Sequence, residues 1–125
     1  VMHGSSSVPQ EWLEIINQYG GEIPETYGVP VDQIFEGIRH GVRKINIDTD
    51  LRLASTGAIR RFLAKNPSAF DPRAYLKETV NAMRDIALAR YEAFGAAGKA
   101  HKIVSLSLET MTQRYLSGTL APKIT

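Results

Sequence analysis

The sequence contains no cysteine and no long run of apolar residues, and its charge is nearly balanced. Without cysteine, neither a disulfide framework nor a thiolate metal site can form, which fits a reducing compartment, and we expect a cytoplasmic protein. No apolar stretch approaches the roughly 18 residues that a membrane helix needs, so we expect no membrane partner. The net charge of +2 is too small and too evenly spread to predict nucleic-acid binding, although it suits an anionic small molecule.

The 125 residues are enough for one small domain, and a hydrophobic fraction of 43% is ordinary for a globular protein. The chain opens on Val1-Met2-His3 without an initiator methionine, so we expect a piece of a longer protein that was cleaved or is only partly represented. Apolar spacing, glycines and prolines predict two short strands and five helices. The strands end at His3 and span Val42–Ile47; the helices span about 9–19, 31–40, Leu51–Ala64, Pro72–Phe94 and Lys102–Leu116, before a proline-containing tail.

This order of elements predicts an α/β fold in which each short strand leads into a helix. We interpret residues 1–66 as the last two βα units of a barrel and residues 67–125 as a C-terminal helical extension. Two parallel strands cannot form a stable sheet by themselves, so we expect these residues to need the upstream part of the same barrel as a partner.

A histidine and a serine-rich turn stand at the end of the first strand, in the sequence His3-Gly4-Ser5-Ser6-Ser7. At the C-terminal end of a barrel strand, the imidazole would point into the mouth of the barrel, where active sites lie. The turn leaves backbone N–H groups and hydroxyls free just before a helix, an arrangement that binds phosphate. The alternative is a plain serine-rich turn beside an exposed histidine, with Ser7 capping the helix that follows.

A second polar cluster runs from Lys44 to Arg52 and reads Lys-Ile-Asn-Ile-Asp-Thr-Asp-Leu-Arg. Alternate residues of a strand share a face, so Asn46 and Asp48 project together, and a buried amide and carboxylate need partners such as substrate hydroxyls. Thr49 and Arg52 would follow in the first helical turn and hold a phosphate, with the arginine binding in a bidentate manner. The alternative is an aspartate helix cap followed by a solvated arginine.

The two clusters follow successive strands, and many barrels build their phosphate site from loops in that position. Val-Met-His-Gly-Ser-Ser-Ser-Val-Pro-Gln, followed by Lys-Ile-Asn-Ile-Asp-Thr-Asp-Leu-Arg, resembles the class II fructose-1,6-bisphosphate aldolases, most closely the longer-chained bacterial and protist branch. The likeness continues through Asp71–Leu76 and Ala89–Gly95, so it extends over essentially the whole chain.

The resemblance implies a (β/α)8 TIM barrel of which this chain is the C-terminal part. It implies a lyase that reversibly cleaves fructose 1,6-bisphosphate to dihydroxyacetone phosphate and glyceraldehyde 3-phosphate, in glycolysis, gluconeogenesis or the Calvin cycle. A Zn2+ ion held by three histidines would polarise the ketone, and the family pattern also allows a monovalent cation. The expected partners are a sugar-phosphate substrate and further copies of the same protein in a homo-oligomer.

By the same resemblance, His3 matches the last of the zinc ligands, and Arg73 would reach the site from a neighbouring subunit. The expected substrate contacts are Gly4 and Ser6 for the phosphate of dihydroxyacetone phosphate, Asn46 and Asp48 for the hydroxyls, and Thr49, Arg52 and Arg73 for the other phosphate.

The resemblance also implies that this chain holds no catalytic acid or base, because those residues and two further zinc histidines lie upstream in the family. His40 and His101 do not sit in a matching motif and do not replace them; His40 is expected to be solvated or to cap a helix C-terminus. Two alternatives remain at this point. One is a tagatose-1,6-bisphosphate aldolase with the same metal chemistry, and the other is a non-catalytic helical interaction fragment that folds stably alone.

Overall fold

The computed structural model describes residues 1–121, and this part of the chain is mostly helical. Its α-helices are α1 (Gln10–Gln18), α2 (Val31–Arg39), α3 (Thr49–Lys65), α4 (Pro72–Ala93) and α5 (Leu108–Leu116), and Ala100–Lys102 forms a 3-10 turn. Within residues 1–121, no helix is both long and apolar enough to cross a bilayer.

The two predicted strands meet in a single parallel bridge between Met2 and Ile45. Met2 N donates to Lys44 O at 2.8 Å, and Asn46 N donates to Met2 O at 3.2 Å, which is the pattern of parallel pairing. The strand predicted for residues 42–47 is therefore reduced to one bridged residue. A strand extends only where a neighbour continues the ladder, and in the described residues this ladder is limited to the Met2 bridge.

The core forms where α1 and α4 each pack against α3. Small residues on α3 allow the close approach of α1, because a Cβ on Gly57 would stand only 2.7 Å from Cε3 of Trp12. The guanidinium of Arg61 then covers the Trp12 ring at 5.3 Å from its centroid. The buried apolar side chains of this core are Val8, Trp12, Leu13, Ile16, Leu53, Ala54, Ala58 and Ala82, and Ile34 of α2 is buried outside it.

The last helix differs from the prediction because it begins at Leu108 rather than near Lys102. Ser107 fixes this start, since its Oγ accepts from Thr110 N at 3.1 Å and so caps the helix. Residues 103–107 form no regular element. The proline of the predicted tail and the last four residues of the predicted extension lie outside the described residues.

Neither of the two helix caps that were considered as alternatives forms, and in both places the side chain has another partner. Ser7 does not cap α1, because the Ser7 hydroxyl donates to Asp50 Oδ2 at 2.8 Å. The helix begins after Pro9 without a side-chain cap. Asp48 precedes α3 but makes no side-chain cap. Its carboxylate binds Arg52 instead, and the N–H groups of Asp48 and Thr49 donate to Ser6 Oγ.

Candidate functional site

Residues 3–8, here called the serine loop, run from the parallel bridge to the start of α1. Gly4 has a φ of +62°, which an L side chain rarely adopts, so the chain turns sharply directly after His3. Ser5 is fully buried, and its hydroxyl donates to Asn46 O at 2.8 Å. The serine loop is therefore fixed to the end of the second strand segment by a side chain as well as by the bridge.

Ser6 joins the serine loop to the beginning of α3. Its Oγ accepts from both Asp48 N and Thr49 N, each at 3.1 Å. These are N–H groups at the helix N-terminus, where the helix dipole adds partial positive charge. The hydroxyl hydrogen of Ser6 remains as a donor, so the junction of loop and helix presents donors of the kind that an anion needs.

His3 and Asn46 also lie together, although they are far apart in the sequence. The side-chain amide of Asn46 is hydrogen-bonded to Nδ1 of His3 at 2.8 Å, which orients the imidazole and keeps Nε2 for a further partner. The neighbouring Ile45 and Ile47 point elsewhere, because both line an apolar groove against α2 and α4. The side chains thus alternate between a polar and an apolar side, as expected for an extended segment.

Asp48 and Arg52 form an exposed ion pair on the first turn of α3. Arg52 Nε lies 3.0 Å from Oδ1, and its second contact to Oδ2 is 2.7 Å long. The bidentate geometry uses one edge of the guanidinium and leaves its other N–H groups free to bind an anion. Asp48 thus lies at the Ser6 junction itself, and Arg52 lies one helical turn from it.

Arg73 is not brought to this site within one chain. It lies in the first turn of α4 with its side chain 90% exposed, and Asp71 binds its guanidinium in a bidentate manner. Arg90, whose side chain reaches the serine loop, lies 17 positions further along the same helix, about 25 Å away at the usual helical rise. A role for Arg73 in substrate binding therefore requires a second copy of the chain.

The ion pair between Asp71 and Arg73 changes the titration of both groups. Hydrogen bonds from the Arg73 side chain, and secondly from its backbone N–H, lower the pKa of the Asp71 carboxyl. The same side-chain bond raises the pKa of Arg73. Asp71 also caps α4, since its carboxylate accepts from Arg73 N at 2.9 Å.

The residues described by the structure do not complete a metal site. Within residues 1–121, no three histidine, cysteine or acidic side chains come together in a way that would hold a metal ion. His40 ends α2, as predicted, and binds Glu36 at 2.9 Å, while His101 lies in the exposed 3-10 turn. His3 has the chemistry of a zinc ligand, but a catalytic zinc needs three protein ligands, so the other two must come from elsewhere.

The loop between α1 and α2 packs against the backbone of the serine loop. Val29 N donates to Ser6 O at 3.0 Å. Gly28 passes so close that a Cβ there would stand 2.2 Å from Ser6 O and 2.6 Å from Ser7 C. Only glycine fits at this position without displacement of the serine loop.

Comparison with known proteins identifies the family of this chain. A family model described as fructose-bisphosphate aldolase class-II matches residues 1–99. The chain belongs to the class II fructose-bisphosphate aldolases. The fructose-bisphosphate aldolase of Stutzerimonas stutzeri is 77% identical over 99% of this chain, and that of Pseudomonas aeruginosa is 74% identical over 99%. The fructose-bisphosphate aldolase of Xanthobacter flavus is 62% identical over 97%.

This class II aldolase chain spans about a third of the length of these curated relatives, with shares of 35%, 35% and 34%. The earlier interpretation as part of a longer protein is consistent with that share. Most of the relatives' sequence therefore has no counterpart in these 125 residues.

The side chains of Asp50, Ser7 and Arg90 support the candidate site through a network that was not predicted from the sequence. Asp50 is fully buried at the start of α3 and accepts from Ser7 Oγ, from Val8 N and from Arg90. The helical spacing of the sequence could have indicated that Asp50 is buried, because it lies on the same face of α3 as the buried residues Leu53, Ala54, Gly57 and Ala58. A charged residue in a buried helical stripe requires a partner, and Arg90 occupies the matching stripe of α4.

Proposed function

We propose that this chain is the C-terminal part of a metal-dependent aldolase that reversibly cleaves fructose 1,6-bisphosphate to dihydroxyacetone phosphate and glyceraldehyde 3-phosphate. The observation that carries the proposal is the parallel pairing of Met2 with Ile45. This pairing places the serine loop, His3 and Asn46 against the N-terminus of α3, in a chain whose family is that of class II aldolases. The complete protein would be a (β/α)8 barrel with these groups at its C-terminal face.

Gly4, Ser6 and Thr49 are proposed to hold one phosphate of the substrate. Ser6 Oγ already bonds the backbone of Thr49, so the residues expected to bind two separate phosphates lie at one junction. A phosphate there would meet backbone N–H groups, a hydroxyl and the positive end of α3. Arg52, one turn further along α3, would bind the other phosphate with the guanidinium edge that Asp48 leaves free.

Asn46 and Asp48 are proposed to bind the hydroxyls of the substrate and so to orient it. Asn46 also holds the imidazole of His3, which makes it a link between the sugar and the proposed metal ligand. A bound Zn2+ would supply Lewis-acid polarisation of the carbonyl oxygen. His3 would be one of its ligands, with two further histidines and the acid and base contributed by upstream residues.

The metal assignment is tested by His3→Ala in the complete protein. We expect the variant to lose bound zinc and cleavage activity together, because two remaining imidazoles do not hold the metal in a site open to substrate. His40→Ala is the matched control, since His40 is an exposed residue at the end of α2 and should leave both quantities unchanged. Stoichiometric zinc and normal turnover in His3→Ala would remove His3 from the site.

Fructose 1,6-bisphosphate is proposed as the substrate in preference to the tagatose epimer because the relatives are named for fructose bisphosphate. Comparison of kcat/KM for the two epimers on the complete protein tests this choice.

A homo-oligomer is also proposed, since Arg73 can serve a site only in another copy of the chain. The cytoplasmic location remains a prediction from the lack of cysteine.

A further inference from the structure

Asp50 lies at the centre of a buried polar network that joins three parts of the chain. Its Oδ1 accepts from Val8 N at 2.9 Å, and its Oδ2 accepts from Ser7 Oγ at 2.8 Å. Arg90 on α4 donates to the same Oδ2 from Nη2 at 3.0 Å and from Nε at 3.3 Å. Arg90 Nη2 also donates to Ser7 Oγ at 2.6 Å, which closes the network.

The network acts on a strained part of the serine loop. Val8 is buried and has a φ of +54°, a conformation that is a genuine outlier for a β-branched residue. Such a backbone persists only where the surroundings determine it, and here the Val8 N–H is held by the Asp50 carboxylate. Asp50 in turn requires Arg90, because a buried carboxylate without a cationic partner is strongly unfavourable.

Ser6 is thereby held from both sides. Ser5 is fixed by its bond to Asn46 O, and Ser7 is fixed by Asp50 and Arg90. The intervening residue then places its Oγ where it meets the N-terminus of α3 at 3.1 Å. A shift of Ser7 would move this contact and the peptide groups on either side of it.

We propose that Asp50 and Arg90 are positioning residues for substrate phosphate, and that they act through Ser7 and Val8 on the shape of the serine loop. This inference rests on the proposed function of that loop. Neither residue would touch the substrate itself, since Asp50 is fully buried beneath the loop, and Arg90 is largely buried with its guanidinium bound to Asp50 and Ser7. The C-terminal half of α4 thus becomes part of the phosphate site through Arg90, although it contributes no direct contact.

The test uses Arg90→Met, Arg90→Lys and Ser7→Ala in the complete protein. Ser7→Ala keeps the ion pair and its bond to Val8 N but removes both hydrogen bonds through Ser7 Oγ, so it separates positioning from simple core stability. The measurements are kcat and KM for fructose 1,6-bisphosphate, the Kd for inorganic phosphate by calorimetry, zinc content, and melting temperature. Kinetics are recorded well below the melting transition of each variant. Arg84→Met and Asp85→Asn, at exposed positions of the same helix, are the controls.

We expect Arg90→Met and Ser7→Ala to weaken inorganic phosphate binding and to raise KM by up to about 10²-fold, the scale typical of a misplaced site, with zinc content unchanged. Arg90→Lys keeps the positive charge, so its phosphate affinity and KM should lie between those of Arg90→Met and the unaltered protein. If both variants lower only the melting temperature, with normal KM and phosphate affinity, the network is a core ion pair and the proposal is wrong. Failure of the proposed function is distinct, because the unaltered protein would then not cleave the bisphosphate.

Discussion

At the scale of single residues, Asp48 and its ion pair with Arg52 decide how the second polar cluster is interpreted. The sequence left two possibilities for Asp48, a helix cap or a contact to substrate. The carboxylate makes no cap bond to α3 and instead orients the Arg52 guanidinium from an exposed position. Its contribution to stability is therefore that of a surface ion pair between helix neighbours, about 0.3–0.5 kcal/mol.

Asp48→Ala should consequently leave stability almost unchanged while it lowers turnover of fructose 1,6-bisphosphate. The expected loss is about 10²-fold, because a group that orients the substrate is removed. Melting temperature and kcat are measured on the same sample of the complete protein. Glu36→Ala is a matched control, since Glu36 also forms an exposed helical pair with an arginine, Arg39 on α2. A less stable variant with normal kinetics would instead assign Asp48 a structural role.

Asp71 provides a second prediction at this scale, through its lowered pKa. The cause is the hydrogen bond from Arg73, so Arg73→Met should move the Asp71 pKa upward toward its ordinary value. Because the ionised form is favoured in the folded state, the pair stabilises α4 at pH above the ordinary carboxyl pKa. This contribution is lost as the pH falls through the lowered pKa.

An NMR titration of the Asp71 carboxyl carbon measures this change directly. Arg84→Met serves as the control, since it removes an exposed arginine of the same helix that is distant from Asp71. An unchanged midpoint in Arg73→Met would mean that the pair does not persist in solution.

Some residues of the candidate site could be predicted from the sequence, and others could not. His3, Ser6, Asn46 and Asp48 were recognisable because motif and strand alternation place them at one end of two parallel segments. Asp50 was interpreted only as part of a helix start, since its burial depends on how α3 packs against the rest of the fold. A buried ion pair between two helices is set by tertiary register, which single-sequence periodicity does not give.

At the scale of elements, helices were predicted where local signals are strong. α4 begins at Pro72 behind the cap Asp71, and α2 follows Pro30, so their starts agreed with prediction. The predicted strands are shortened to a single bridge, because the extent of a strand depends on a neighbouring strand as well as on its own residues. α5 begins at Leu108 rather than near the predicted Lys102, since Ser107 provides the cap.

The loop between α1 and α2 yields a prediction about an element that contains no predicted site residue. Gly28→Ala should displace the serine loop, because its Cβ would collide with the backbone of Ser6. Such overpacking typically costs about 1–3 kcal/mol, and here it should also raise the Kd for inorganic phosphate.

The matched control is Gly37→Ala in α2, where the added Cβ meets Val42 at an ordinary 3.5 Å. In a helix interior this change gains about 0.5–1 kcal/mol of stability and should leave phosphate binding unaffected. Equal phosphate affinity in both variants would show that the loop adapts to Gly28→Ala without loss of the site.

At the scale of the whole molecule, an apolar groove of about 430 Å³ runs along the second strand segment. Its lining includes Ile38, Ile45, Ile47, Ile86, Tyr91 and Phe94. Tyr91 is 59% exposed, and the same helix also exposes Leu76, Val80 and Leu88. Apolar surface of this extent is typical of a segment that packs against further protein, which fits a chain that spans a third of its relatives' length.

The chain expressed by itself should therefore keep its helices without tight packing. We expect helical far-UV circular dichroism, binding of the dye ANS and a broad, weakly cooperative thermal transition, whereas the complete protein should unfold sharply and bind little dye. Ile47→Asn should reduce dye binding by the isolated chain because Ile47 lines the groove, while Val104→Asn, at an exposed position outside it, should not. A sharp transition without dye binding would instead support the alternative of a helical module that folds alone.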